Sequence, residues 1–386
     1  MKNKNSVLLY KTMFFVFPAL LFALLVFGSG GDFLGNLAFL SVAAVMPEEA
    51  VGQIFEIDTA DSRKEHTQST DSAEAETAEK KYTEPSQTSQ QVQTVDAKLT
   101  DTPADVLKYM QDYAAKAANE TEDGRISEKN YHASAATDKY GNVYVKNINN
   151  TDIDIKAELE KKADLEVKNK TLPYVLIIHS HTTEAYQVLD RDFYAAGYKT
   201  RSNSSDTNVA RVGTAIAAEI EKAGYAVIHD KTIHDTTYSG AYPNSRKAIQ
   251  SWLEKYPSIQ VVLDVHRDAI QVSGGVKIKP IAEINGKKAA QIMIISGCQE
   301  EGNNVENFPD WAQNLTFAVQ LQKQMEDMYP GLTRPIYFSP RKYNMDLTHC
   351  SLLMEMGSDA NTLEEAVYSG RMLGTAVAKM LEKYSV

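Results

Sequence analysis

The chain has 386 residues, 51 of them acidic and 40 basic, for a net charge of −11 at pH 7. An acidic surplus of this size argues against a general phosphate-binding surface, and so against a broad nucleic-acid interface. The two cysteines, Cys298 and Cys350, form no CxxC pair, which excludes a cysteine-built zinc cluster and is compatible with export across a membrane.

In chain order, Lys2, Lys4 and Lys11 precede an uncharged stretch over 12–31 that is dense in Phe, Leu and Val. Its length suits one bilayer crossing, and Pro18 is tolerable within a membrane helix. Basic residues before the stretch and no basic cluster after it predict a cytoplasmic N-terminus and an extracytoplasmic remainder. A cleaved signal peptide is the rival. The run is long for such a peptide, and a second apolar patch over 33–46 follows without a clear cleavage site, so a retained single-pass anchor in the cell membrane is expected. Residues 56–104 hold 11 acidic and 5 basic residues and few large apolar ones. Such a segment cannot bury a core and reads as a disordered, self-repelling tether. The expected division is therefore 1–31 cytoplasmic tip and anchor, 32–104 acidic tether, 105–171 lead-in, and 172–386 the domain proper.

Residues 105–119 carry Val106, Leu107, Met110 and Tyr113 at helical spacing. The polar lead-in that follows has isolated apolar residues, among them Val143, Val145, Ile153 and Ile155. The domain opens on an apolar strand ending at His179. A helix is predicted over 208–223, with Val209, Val212, Ile216 and Ile220 on one face and Gly224 as its stop. Then come a strand over 225–228, a helix over 244–256 ended by Pro257, and a strand over 259–265. Runs over 277–284 and 291–296 read as a strand pair around Asn285-Gly286, a strong hairpin signal. A helix over 307–329, a strand over 350–356 and a helix over 361–383 complete the chain. This alternation predicts one α/β domain with a mixed or mostly parallel sheet flanked by helices.

Three apolar strands end in polar chemistry. The first runs into His179-Ser180-His181-Thr182-Thr183-Glu184, the second into Asp264-Val265-His266-Arg267-Asp268, and the last carries Glu355 between Met354 and Met356. If these strands are parallel, their C-terminal ends share the sheet edge where active sites collect. A catalytic zinc takes three ligands of the His and Glu type and leaves a position for water. His181, Glu184 and His266 supply such a set, and Glu355 supplies a carboxylate to accept the water's proton. HxxE alone arises often by chance; HxxE and HRD at two strand ends with a strand-borne glutamate downstream are more specific. A carboxylate within a core strand is costly unless paired or functional, and Arg267 or Arg341 could pair with Glu355. Asp206, ahead of the first domain helix, rivals Glu184 as third ligand, although a carboxylate there also serves as a cap. His179 reads as support, His229 as structural, and His234 as a substrate-binding residue or an acid. His66 and His132 read as incidental, and His349 is open.

Several ordered blocks carry a family resemblance: VLIIHSHTTEAY over 175–186, NVARVG over 208–213, IHDKTIHD over 228–235, YPSIQVVLDVHRD over 256–268 and EMGSDAN over 355–361. Over 140–386, and in its membrane anchor, the chain resembles stage II sporulation protein P of endospore-forming bacteria. The resemblance implies an N-acetylmuramoyl-L-alanine amidase-like fold and a zinc-dependent peptidoglycan hydrolase. Such an enzyme removes stem peptides from glycan strands and cuts peptide cross-links during septal wall remodelling and forespore engulfment. It also implies a glycan-cleaving partner and a polytopic membrane protein. Carried over, His181 and His266 match metal-ligand positions and Glu355 the catalytic glutamate. The third ligand does not transfer cleanly, and Glu184 is preferred to Asp206. Substrate contacts are expected from His234 and Arg267. The text Tyr242-Pro243-Asn244-Ser245-Arg246 departs from the more compact Tyr-x-Arg-Ser pattern, which leaves contacts at Tyr242 and Arg246 open. Two further readings are a membrane-anchored metallocarboxypeptidase and a non-catalytic wall-binding scaffold.

Overall fold

The computed structural model describes residues 98–386. The expected anchor and nearly all of the tether lie outside the described residues. Among the described residues no helix is long and apolar enough to cross a membrane. Residues 98–101 belong to a separate unit and close a turn in which Lys98 N donates to Asp101 Oδ2 at 2.8 Å. Residues 102–386 fall in one packed unit, a mixed α/β fold.

Its frame is an eight-stranded sheet. In chain order the strands are β2 (Asp138–Tyr140), β3 (Val143–Asn147), β4 (Val175–Ile178), β6 (Val227–His229), β7 (Val261–Asp268), β10 (Ile292–Gly297), β11 (Ile336–Ser339) and β12 (Cys350–Ser358). Their order across the sheet is β2-β3-β11-β10-β12-β7-β4-β6. The stretch β12-β7-β4-β6 is parallel, whereas β10 meets β12 antiparallel. The sheet is therefore mixed. Its centre reads as continuous apolar runs because both faces are covered: Val175 to Ile178 are all fully buried.

Helices α3 (Val209–Lys222), α5 (Trp311–Met328) and α6 (Leu363–Lys383) pack together, and α3 and α5 make contacts with the sheet, as does α6. On the other face α4 (Ala241–Lys255) supplies Ile249, which packs with Leu176, Ile178 and Val262. The caps are those the local sequence specifies. Asn208 accepts from Ala210 N at 2.9 Å to start α3, and Gly224 follows its end at φ +88°. Thr362 and Glu365 form a reciprocal capping box at the start of α6. The helix expected from 244 begins a turn earlier, at Ala241.

A second sheet, ordered β5-β1-β8-β9, contains β1 (Glu122–Lys129), β5 (Phe193–Ala195), β8 (Lys277–Ile284) and β9 (Lys287–Ala290). The hairpin at Asn285-Gly286 forms as expected, with φ of 52° and 75°. Its second arm is β9, however, and the run expected to pair with β8 is β10, which crosses into the main sheet. The lead-in is also more structured than its composition suggested. It gives α1 (Ala104–Ala114), β1, β2, β3 and α2 (Ile155–Glu160), and so contributes strands to both sheets. Few of its residues are large and apolar; pairing with β8 and β11 supplies what periodicity could not show.

Candidate active site

Parallel β4, β7 and β12 bring three chain segments to one sheet edge. Register places Ile178 beside Asp264, and Glu355 beside His266. Beyond β4 the chain turns through a buried polar loop. Ser180 N donates to Asp264 Oδ1 at 2.8 Å, and its hydroxyl donates to Oδ2 at 2.6 Å. The Thr183 hydroxyl donates to Asp235 Oδ2 at 2.6 Å, and Arg201 Nη1 reaches the same oxygen at 2.7 Å. With every turn of the loop tied down, His181 and Glu184 are placed by the scaffold.

Glu184 is buried and its Oε2 accepts from Arg267 N at 3.0 Å. The same oxygen lies 3.5 Å from His266 Nδ1. Burial alone would raise its pKa, but the His266 hydrogen bond and the nearby charges of Arg267, His266 and His181 outweigh that and hold it at about 2. His266 is 3 % exposed, and its Nε2 lies 2.9 Å from Asp264 Oδ1, out of line for a hydrogen bond. Burial disfavours its cation, yet the flanking Asp264 and Glu184 carboxylates push its pKa well above the ordinary imidazole value. His181 sits edge-on to His266, ring centroids 5.3 Å apart, and its buried Nδ1 has no hydrogen-bond partner. Burial, then the neighbouring His266, lowers its pKa and keeps its ring lone pair available.

Glu355 is the anomaly the sequence flagged. Its Oε2 is buried with no hydrogen-bond partner. Burial first, then Asp268, pushes its pKa up to about 8. Among the described residues neither Arg267 nor Arg341 pairs with it. Arg267 instead donates to the carbonyls of Ala185 at 2.9 Å, Thr200 at 2.8 Å and Asp268 at 3.2 Å. Its guanidinium thus splints the loop over 184–200 to β7. His234 is 4 % exposed; its backbone N donates to Thr182 Oγ1 at 3.1 Å, and its Nε2 lies 3.9 Å from Asp230 Oδ2 without a hydrogen bond. The backbone of His234 thus holds the Thr182 turn.

The rivals fall elsewhere. Asp206 is exposed, and the cap of α3 is Asn208. His179 is fully buried, with Nδ1 2.8 Å from Val265 O and Nε2 2.9 Å from His229 Nε2, so both histidines serve the β4–α3 packing. His349 sits 2.5 Å from Asp164, away from this cluster. Arg246 makes a two-pronged ion pair with Asp346, both contacts at 2.7 Å.

Three features escaped the sequence. Asp264 reads in the sequence as part of a polar strand end without a role of its own, but it accepts from Ser180 of the His181 loop and lies 2.9 Å from His266 Nε2. Tyr238 stacks on His181 at 4.9 Å, and Tyr242 stacks between His266 at 6.3 Å and Tyr343 at 5.1 Å. Arg201 lies 5.6 Å over the Tyr238 ring. Only the bare alternation Tyr238, Tyr242 one helical turn apart could have signalled this wall.

Among the described residues no three His, Cys, Asp or Glu side chains stand preassembled as a metal shell. What is preassembled is a pair with a third member beside it. A tetrahedral zinc with bonds of about 2.0–2.1 Å sets its ligand atoms about 3.3–3.4 Å apart, which suits the 3.5 Å between Glu184 Oε2 and His266 Nδ1. With the unpartnered His181 Nδ1 beside them, Glu184 and a neutral His266 are the donor types that could hold a zinc ion.

A family model described as stage II sporulation protein P matches residues 44–378. The stage II sporulation protein P of Bacillus subtilis (strain 168) is 30 % identical over 208 residues, covering 50 % of this chain and 47 % of its own length. The chain thus matches about half the length of that curated relative. Among solved structures, the N-acetylmuramoyl-L-alanine amidase AmiC2 of Nostoc punctiforme is 13 % identical with a TM-score of 0.31, covering 56 % of this chain and 98 % of its own. The CwlD amidase of Clostridioides difficile, solved with the GerS lipoprotein, is 14 % identical with a TM-score of 0.32 over 55 % and 98 %. Superpositions this loose leave the family match as the basis for identity. Spanning most of the chain, that match shows that it belongs to the stage II sporulation protein P family.

Proposed function

We propose that this chain is a zinc-dependent peptidoglycan hydrolase, an N-acetylmuramoyl-L-alanine amidase that also cleaves peptide cross-links. The observation that carries this reading is the buried, unpartnered Oε2 of Glu355, in register beside His266 and its Glu184 neighbour. His181, Glu184 and His266 would hold the zinc, with Asp264 orienting His266. When bound, the ion would polarise the scissile carbonyl and acidify a water. Glu355 takes a proton from the attacking water as the C–O bond forms. It returns that proton to the amide nitrogen as the C–N bond breaks, so the amine leaves neutral. The tyrosine wall limits water access and gives the sugar–peptide junction a flat surface. An anchor and tether before the domain would let it work on wall at a distance from the membrane, alongside a glycan-cleaving enzyme and a polytopic membrane protein.

Glu355→Gln tests the mechanism. The variant should bind zinc as the parent does, by elemental analysis, yet release stem peptides from purified sacculi about 10²–10⁴-fold more slowly by mass spectrometry. Release above a tenth of the parent rate overturns the assignment.

A further inference from the structure

The sheet face that carries Glu355 continues past it. Register aligns Ile178, Asp264, Leu353, Ile295, Tyr337 and Lys146 in one row across six strands. The next row sets Met293 beside Glu355 and Glu355 beside His266. Directly paired residues share a face. A cleft therefore opens on the catalytic face, lined by Tyr131, Lys146, Met293, Arg334 and Tyr337. Its free space is about 30 Å³, room for about two water-sized groups, the size of a carboxylate.

The lining chemistry is cationic and aromatic. Arg334 is 4 % exposed; its Nη1 lies 2.9 Å from Asp268 Oδ2, and its guanidinium lies 5.3 Å from the Tyr131 ring. Lys146 Nζ lies 5.7 Å from the Tyr337 ring. Burial, then the charge of Arg334, which also lines the cleft, lowers the Lys146 pKa. An anion in the cleft would meet both positive charges.

We propose that this cleft is a subsite for a carboxylate on the peptide side of the cleaved amide, held by Lys146 and Arg334. Strands lie about 4.8 Å apart, so β3 is about 14 Å from β12. An extended peptide spans about 3.3–3.6 Å per residue. A carboxylate two to four residues from the scissile amide then reaches the cleft while the amide lies at Glu355. Both an internal residue of the stem peptide and its C-terminus qualify. The proposal rests on the amidase reading for its direction.

The test uses zinc-loaded full-length protein in detergent and soluble muropeptides in three forms: free acid, amidated at the internal carboxylate, and amidated at the C-terminus. Affinity is measured by calorimetry on the Glu355→Gln background, and KM and kcat on the parent. One amidated form should bind about tenfold more weakly and raise KM with little change in kcat, which names the carboxylate. Lys146→Gln should remove that difference, Lys146→Arg should keep it, and both should melt within a few degrees of the parent. Equal affinity for all three forms, with turnover intact, overturns the subsite and leaves the amidase reading standing. Acid-selective, Lys146-dependent binding without turnover keeps the subsite and overturns the amidase reading.

Discussion

At the scale of single residues, the site is a set of polar groups whose neighbours decide their state. Glu184 is buried and Glu355 has a buried Oε2, yet one is held at about 2 and the other pushed up to about 8, chiefly by burial. Glu184 has His266 and Arg267 N beside it; Glu355 has the carboxylates of Asp268 and Glu184. One is suited to stay charged as a ligand and the other to carry a proton. Asp264 is the residue that positions rather than reacts, since it joins Ser180 to His266. Asp264→Asn should weaken zinc binding or activity about 10–100-fold, measured by competition with a chelating dye, with a smaller loss of fold stability. Unchanged affinity would show that His266 is oriented by other contacts.

Secondary-structure elements carry two further predictions. Gly213 lies within α3, where helix propensity alone favours alanine by about 1 kcal/mol. A Cβ there would stand 2.6 Å from both His179 Nε2 and His229 Nε2. Gly213→Ala should therefore destabilise the protein by about 1–2 kcal/mol, read as a lower denaturant midpoint at unchanged slope. Helix α1 is tied to α3 by Arg211, whose Nε and Nη2 reach Asp105 at 2.6 and 3.0 Å. The Arg211 hydrogen bond lowers the Asp105 pKa. That contribution is present above the unfolded carboxyl's value of about 3.9 and is lost as pH falls through the lower folded value. Asp105→Asn should cost at most about 1 kcal/mol at pH 7, because the pair is partly solvated, and nothing once the pH lies below the folded value. Paired urea titrations at the two pH values check this.

For the molecule as a whole, a metal that binds only the folded state adds stability by mass action. At free zinc 100 times its Kd this is about 2.7 kcal/mol, so chelation should lower Tm by about 5–10 °C. Glu184→Gln should abolish most of that shift, while Asp206→Asn should leave it intact; the reverse pattern would make Asp206 the ligand. The alternation of strands and helices, the hairpin turn at Asn285-Gly286 and the stop of α3 at Gly224 were legible because each is set by residues close in sequence. The polar residue at odds with its strand was legible too, since a glutamate between two methionines in an apolar strand contradicts its surroundings. What the sequence could not decide are relations between distant segments. The departure of β10 from the hairpin and the strands drawn from the polar lead-in both depend on pairing. So does the turn of Arg267 toward carbonyls rather than toward an open site. Local propensity and periodicity determined which residues form strands and where chemistry sits along the chain. Only the tertiary structure decided which of them meet, because strand order and register are settled by burial of both sheet faces at once.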